Sequence, residues 1–93
     1  MLSVIESRKY KKSLKLYLRH KSFSIAKLEK IIGLLQRQVV LDPVYRDHKL
    51  KGSLEGMREC HIYPNTILMY EILERESILS LMDIGSHSKL KLV

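Results

Sequence analysis

The spacing of apolar residues changes once along this chain, and that change limits the possible folds most strongly. Between residues 8 and 38 apolar side chains recur every three or four positions, which predicts amphipathic helices. From Met57 onward they alternate with other side chains or form short runs, which predicts strands. A helical first part followed by an extended second part is typical of an α+β protein.

Two helices are expected near the start of the chain. A short strand over residues 1–6 stops at Ser7, which is a good N-cap for a helix running from about residue 8 to residue 20. The Ser22–Ser24 segment breaks this helix and offers a cap for a second one, which continues to about Gln38. We expect the two helices to pack as a hairpin.

Three strands linked by hairpins are expected in the second half, after a polar loop that ends at Gly56. They cover residues 57–63, 67–72 and 78–84, and Pro64–Asn65 forms the first turn because proline and asparagine fit the two central positions of a β-turn. The predicted architecture is a mainly antiparallel sheet with the pair of N-terminal helices covering one face.

Length and composition restrict the chain further. A chain of 93 residues has room for a single domain, expected over residues 1–93, with one modest core. No stretch approaches the roughly 18 apolar residues of a membrane-spanning helix, and the start lacks the apolar core of a signal peptide. The single cysteine, Cys60, cannot form an internal disulfide. These features predict a cytoplasmic protein with Cys60 packed in its core.

Positive charge is concentrated in the first half of the chain. Residues 1–40 carry ten basic and two acidic side chains, whereas residues 41–93 carry seven basic and eight acidic ones. Such an uneven field favours binding of nucleic acid or of an acidic protein. A solvated helix face kept soluble by lysine is the alternative, and charge alone does not separate the two.

Three of the four histidines, His48, His61 and His87, lie in the second half of the chain. His61 is near the carboxyl end of one predicted strand and His87 follows a strand two places away, so both are expected at the same edge of the sheet. Cleavage of RNA by its own 2′-hydroxyl needs a base, an acid and a cation, and histidine serves either proton role near neutral pH. Incidental histidines are the alternative. Because no paired spacing typical of zinc ligands occurs, we predict no metal site.

Three segments together resemble the YafQ-type toxins of the RelE/ParE superfamily. They are Tyr45–Gly52 (YRDHKLKG), Arg58–Asn65 (RECHIYPN) and Ile84–Ser88 (IGSHS), and the resemblance covers essentially the whole chain. It implies the RelE-like fold and the toxin of a type II toxin–antitoxin system. It also implies a ribosome-dependent endoribonuclease that cleaves mRNA without a metal or other cofactor, together with a cognate antitoxin partner.

Carried over by position, the resemblance makes His48, His61 and His87 catalytic candidates, with His87 first for proton transfer. Two positions depart from the family pattern. Asn65 stands where an aspartate is usual and cannot take a proton at physiological pH. Asp83 stands where a phosphate-contacting arginine is usual, and a carboxylate beside the scissile phosphate would repel the charge that builds there.

The departure at position 83 leaves three interpretations. Arg58 on a nearby strand supplies the missing cation, with lysines of the loop or the C-terminus as substitutes; or Asp83 pairs with His87; or the enzyme is weakened. Arg58 is the preferred cation. The side chains expected to contact RNA are Lys49, Lys51, Asn65, Lys89 and Lys91.

Two other functions remain open at this point. One is a noncatalytic module of the same fold that binds an antitoxin, in which Asp83 and Asn65 mark lost nuclease chemistry. The other is a ParE-like inhibitor of gyrase, although that branch does not typically carry these three histidines.

Overall fold

The protein folds as a strand, two helices and a hairpin-linked set of strands, in the predicted order. The structure, a computed structural model, describes residues 1–90. Its elements are β1 (Ser3–Glu6), α1 (Arg8–Tyr17), α2 (Ile25–Gln36), β2 (His48–Lys49), β3 (Arg58–Tyr63), β4 (Thr66–Leu73), β5 (Ile78–Gly85) and α3 (His87–Leu90). Two short 3-10 turns, at Pro43–Tyr45 and Gly52–Leu54, lie on either side of β2.

The strands form one sheet in the order β1-β5-β4-β3-β2. The pairs β2–β3, β3–β4 and β4–β5 are antiparallel, and β1 pairs in parallel with β5. This arrangement confirms the predicted α+β class with a mainly antiparallel sheet. The two-residue strand β2 was expected to be loop, and its pairing sets His48 directly opposite Glu59.

Serine side chains start both long helices, as the sequence predicts. Ser7 Oγ accepts a hydrogen bond from the Tyr10 N–H and donates one to the Met82 carbonyl at 2.7 Å, which ties the start of α1 to β5. Ser24 Oγ caps α2 in the same way. Helix α1 ends at Tyr17, three residues before the predicted end at His20, where the chain turns and the Phe23 ring packs on Tyr17.

The two faces of the sheet carry different clusters. The main core combines residues of α1 and α2 with inward-facing residues of β3, β4 and β5, including Cys60 and Ile62. Cys60 is fully buried, which confirms its core position, and burial raises the pKa of its thiol to about 12. Side chains alternate along a strand, so Glu59 and His61 face the opposite side, where a smaller apolar cluster includes Leu90 of α3. Within residues 1–90, no helix is both long and apolar enough to span a membrane.

Candidate active site

Three histidines from distant parts of the chain converge on one carboxylate. Glu59 Oε1 lies 2.8 Å from His48 Nε2 and 3.9 Å from the Nε2 atoms of both His61 and His87. The rings of His61 and His87 are 5.4 Å apart between centroids. We call Glu59, His48, His61 and His87 the histidine–glutamate cluster. The predicted convergence of the three histidines at one place on the sheet is therefore confirmed.

Three elements of the fold bring the cluster together. Strand β3 presents Glu59 and His61 on the face away from α1 and α2 because they are two residues apart. Strand β2 sets His48 opposite Glu59, and α3 begins at His87 immediately after β5 and Ser86. Leu90 anchors α3 by packing into the smaller apolar cluster with Ile67 and Met69.

Glu59 is the most enclosed member of the cluster. Its side chain is 4% exposed, and Oε2 is buried without a hydrogen-bond partner among the described residues. A buried carboxylate is costly unless cations or donors compensate for it. The three imidazoles are the groups near Glu59 that can supply that compensation.

The histidines differ in what they can offer to a substrate. His48 Nδ1 lies 2.6 Å from the Arg46 carbonyl oxygen, and its Nε2 faces Glu59, so the ring donates to both acceptors when it carries two protons. His61 is only 8% exposed, and its Nδ1 lies 3.4 Å from the Pro64 carbonyl oxygen. His87 is 46% exposed, and its Nε2 is beyond hydrogen-bond distance of Glu59, which leaves it free to exchange a proton with a bound ligand.

The cluster also contains a set of atoms that can hold a metal ion. Ligand atoms of Glu59, His61 and His87 lie within 4.8 Å of one another. Two imidazoles and a carboxylate are a donor set that suits zinc and related divalent ions. The absence of a metal site, expected because paired ligand spacing is lacking in the sequence, stays a prediction. The candidate donor atoms come from two separate elements, β3 and α3, which spacing alone does not reveal.

Arg58, the predicted cation of the reaction, is engaged elsewhere. Its guanidinium pairs with Asp47 at 3.1 Å and donates a hydrogen bond to Tyr70 Oη at 3.2 Å, and Tyr70 also donates to Asp47. Burial opposes protonation of Arg58, but the hydrogen bonds with Asp47 outweigh it and raise its pKa. Because Arg58 and Glu59 are adjacent in β3, their side chains leave opposite faces of the sheet. Arg58 therefore holds Asp47, the residue before His48, and does not face the histidine–glutamate cluster.

Asp83, whose carboxylate was expected near the scissile phosphate, is buried and hydrogen-bonded within the protein. Its side chain is 1% exposed, and Oδ1 accepts hydrogen bonds from Ser13 Oγ at 2.7 Å and from the Ile84 N–H at 2.8 Å. Lys89 Nζ lies 3.5 Å from the same oxygen and donates to Ser13 Oγ and the Ile84 carbonyl. The interpretation that Asp83 pairs with His87 is not what the structure shows: the carboxylate near His87 is that of Glu59.

The predicted RNA-contacting side chains are spread over several places. Lys49 and Lys51 line a groove of 1320 Å³ that also contains Arg58 and Tyr70, on the far side of β2 from the cluster. Asn65 is exposed at the tip of the β3–β4 turn. Lys89 is held by Asp83 and Ser13, so it is not the mobile contact that the sequence suggested. Lys91 lies outside the described residues.

The sequence interpretation missed the role of Glu59. One signal was available: Met57, Glu59, His61 and Tyr63 fall on one face of the predicted strand, so an acidic residue was placed beside a catalytic candidate. What the sequence does not show is that this carboxylate is buried, because its burial depends on β2 and α3 covering it.

Comparison with known proteins identifies the family. Residues 2–92 match the family model described as a bacterial toxin of type II toxin–antitoxin system, YafQ. The chain belongs to the YafQ toxin family. The mRNA interferase toxin YafQ of Escherichia coli strain K12 is 36% identical over 86 residues, which span 90% of this chain and 89% of that protein. The resemblance inferred from the three segments is confirmed.

Solved structures agree with this assignment to the YafQ family. A metal-bound toxin from Helicobacter pylori is 41% identical, with a TM-score of 0.90 over 97% of this chain and 99% of that one. YafQ in the E. coli DinJ–YafQ complex is 28% identical, with a TM-score of 0.84 over 97% and 98%. The predicted RelE-like toxin fold is therefore confirmed by YafQ structures.

Proposed function

We propose that this YafQ-family toxin is a ribosome-dependent, metal-independent endoribonuclease of the cytoplasm that cleaves mRNA and is held inactive by a cognate antitoxin. Its curated relatives are mRNA interferases, and a YafQ toxin forms a complex with the DinJ antitoxin. The observation that carries the proposal is the meeting of His48, His61 and His87 at Glu59.

His61 and His87 form the proton-transfer pair in this proposal. The 2′-oxygen of RNA attacks the adjacent phosphorus while His61 takes its proton, and His87 gives a proton to the departing 5′-oxygen. The phosphorus–oxygen bond to the leaving group breaks, leaving a 2′,3′-cyclic phosphate and a 5′-hydroxyl. Ring centroids 5.4 Å apart place an acid and a base close enough to serve the same phosphate.

Glu59 and His48 support that pair. The Glu59 carboxylate, 3.9 Å from both rings, stabilises the positive charge that forms on His61 and the charge that His87 carries before it acts. Both ring nitrogens of His48 are engaged, Nδ1 with the Arg46 carbonyl and Nε2 with Glu59. His48 is therefore better suited to orienting Glu59 than to exchanging protons with RNA.

The buried position of Asp83 argues against repulsion between its carboxylate and a bound phosphate, one of the two sequence-based reasons to propose a weakened enzyme. A carboxylate that accepts hydrogen bonds from Ser13 and Ile84 and pairs with Lys89 is largely neutralised within the protein. Lys9 Nζ lies 3.9 Å from its second oxygen, so two ammonium groups accompany one carboxylate. Because Lys89, Ser13 and the Ile84 N–H already compensate the carboxylate, its repulsion of a bound phosphate is reduced.

The test is cleavage of a defined mRNA on translating ribosomes by the purified chain. We expect His87→Gln and Glu59→Gln each to lose about 10²–10⁴-fold in cleavage rate, the usual contribution of a proton-transfer group and of the charge that supports it. His20→Gln is the matched control, because His20 is the exposed histidine outside the cluster. Antitoxin binding by each variant shows that it is folded.

Two results would contradict the proposal. Wild-type protein that binds antitoxin but leaves the message intact would favour the noncatalytic module. Cleavage by His87→Gln at the wild-type rate would exclude His87 as the proton donor, even if the chain is a nuclease.

A further inference from the structure

A crevice beside His61 has no role in the mechanism described so far. It has a volume of 490 Å³ and lies between the 3-10 turn at Pro43–Tyr45, the first turn of α2 and the end of β3. Cavities of this size are within the range that binds small organic ligands. The side chains that matter most in its lining are Lys27, Tyr45, Arg46, His61 and Tyr63.

The sheet leaves this edge open. Strand β2 pairs only with Arg58 and Glu59, so the rest of β3 has no strand partner on that side within residues 1–90. The crevice follows this part of β3, because His61 and Tyr63 both line it. Because His61 is part of the lining, a ligand in the crevice lies next to one residue of the proton-transfer pair.

Charge distinguishes the crevice from the larger groove, which shares Arg46 with it. The crevice is lined by two cationic side chains, Lys27 and Arg46, and by no carboxylate. The 1320 Å³ groove has four basic residues and four acidic ones. A phosphate-bearing ligand is favoured in the first and gains little in the second.

The aromatic part of the crevice is held in place before any ligand binds. Tyr63 Oη accepts a hydrogen bond of 2.9 Å from the Ser24 N–H, and the Phe23 ring packs against the Tyr63 ring at 6.0 Å between centroids. Lys27 Nζ lies 4.2 Å from the centre of the same ring. Such bracing reduces the entropy lost when a ligand packs against the ring.

We propose that this crevice binds a nucleotide next to the scissile phosphate, with its base against the ring of Tyr45 and beside Tyr63, and its phosphate beside Lys27 and Arg46. The inference rests on the proposed nuclease function, because it places the neighbouring nucleotide against His61. Aromatic rings bind bases of any sequence, and the two cations bind the backbone. The crevice therefore positions the RNA strand relative to the acid and the base.

The experiment combines a protein change with a substrate change. Cleavage on the ribosome is measured for wild type and Tyr45→Leu, with intact mRNA and with mRNAs that lack the base on either side of the cut, one at a time. We expect Tyr45→Leu to slow cleavage of intact mRNA about tenfold, within the range of base–aromatic stacking. We expect removal of one flanking base to slow the wild type equally, and the two losses not to add.

Lys27→Met provides a second measurement that does not depend on Tyr45 variants being folded. It keeps the apolar stem but removes the charge, so cleavage should become less sensitive to salt than in wild type. Lys30→Met is the matched control, since Lys30 is exposed on the same helix and is not part of the crevice.

The outcomes separate this proposal from the nuclease proposal. If Tyr45→Leu loses the same factor in cleavage rate on intact and base-free mRNAs, the crevice is not a base site. Identical salt dependence of cleavage by Lys27→Met and Lys30→Met would also overturn the proposal. Neither result would contradict cleavage itself. No cleavage by wild type would overturn both proposals.

Discussion

Replacing Asp83 by arginine, the residue that the family resemblance implies there, should destabilise the protein rather than improve it. Asp83 is 1% exposed and accepts hydrogen bonds from Ser13 and from the backbone of Ile84. An arginine would put a third positive charge between Lys9 and Lys89. It would also leave the two donors without an acceptor and force a longer side chain into a filled space.

The size of the effect follows from these contacts. Removing one partner of a buried ion pair costs about 3–5 kcal/mol. Lys9 adds little to this figure, because it is 75% exposed and its pairing is screened by solvent. Asp83→Asn keeps an acceptor for Ser13 and Ile84 but loses the charge opposite Lys89, so we expect a smaller cost of about 1–2 kcal/mol. Since a small domain has about 5–15 kcal/mol in all, Asp83→Arg should lose a substantial part of the free energy of unfolding, with the loss moderated because Lys89 is 38% exposed.

Urea unfolding of wild type, Asp83→Asn and Asp83→Arg measures the prediction directly. The control is Glu76→Arg, which makes the same change of charge at an exposed position and should stay within about 0.5 kcal/mol of wild type. If Asp83→Arg unfolds at the wild-type urea concentration and also cleaves mRNA faster, then Asp83 is not the structural anchor inferred here. The introduced arginine would then act as the phosphate contact that the family resemblance implies.

Three further predictions follow from other parts of the structure. A chelator selective for zinc, in buffer that keeps the Mg²⁺ needed by ribosomes, should leave mRNA cleavage unchanged. Added zinc should inhibit cleavage, because a metal on the histidine–glutamate cluster occupies the nitrogens that must exchange protons, whereas loss of activity in the chelator that zinc restores would contradict metal independence. Burial raises the pKa of Cys60 from 9.0 to about 12, so the thiol loses its proton at a lower pH in the unfolded chain than in the folded one. The free energy of unfolding should therefore fall as pH rises above about 9, by up to about 1.4 kcal/mol per pH unit. Cys60→Ala should flatten this pH dependence in urea titrations. Gly56 has a φ of +97°, so Gly56→Ala should destabilise the protein by about 1 kcal/mol or more in the same assay. Gly33 lies inside α2, and Gly33→Ala should stabilise the protein by about 0.5–1 kcal/mol. Equal shifts for the two variants would argue against the turn geometry at Gly56.

Local sequence signals were sufficient for most of the fold. The caps at Ser7 and Ser24, the helical spacing after them and the alternation in β3 all depend on residues a few positions apart. Strand β2 was missed because two residues give no period to detect, and it exists only through its pairing with residues 58–59. Helix α3 is also short, with four residues, and its Leu90 packs on side chains of β4.

The site was predictable in its histidines but not in its carboxylates. Histidines are rare, so three near one sheet edge stand out, whereas nothing in the sequence distinguishes Glu59 and Asp83 from the other acidic residues. Their burial at 3% and 1% exposure results from contacts with distant elements. Burial of a charge is a property of the assembled fold. For this reason Glu59 was overlooked in the sequence, and Asp83 was expected beside the scissile phosphate.

Two of the cations considered from the sequence, Arg58 and Lys89, instead hold segments that carry catalytic candidates. Arg58 and Tyr70 hold Asp47, the neighbour of His48, and Lys89 joins the helix that begins with His87 to Asp83 and Ser13. Those segments are a two-residue strand and a single helical turn, which bury too little apolar surface to fix their own positions. In a chain of 93 residues with one modest core, such ion pairs supply the positional precision that larger enzymes obtain from packing. A basic residue close in sequence to a catalytic histidine is therefore as good a candidate for holding that histidine as for binding the phosphate.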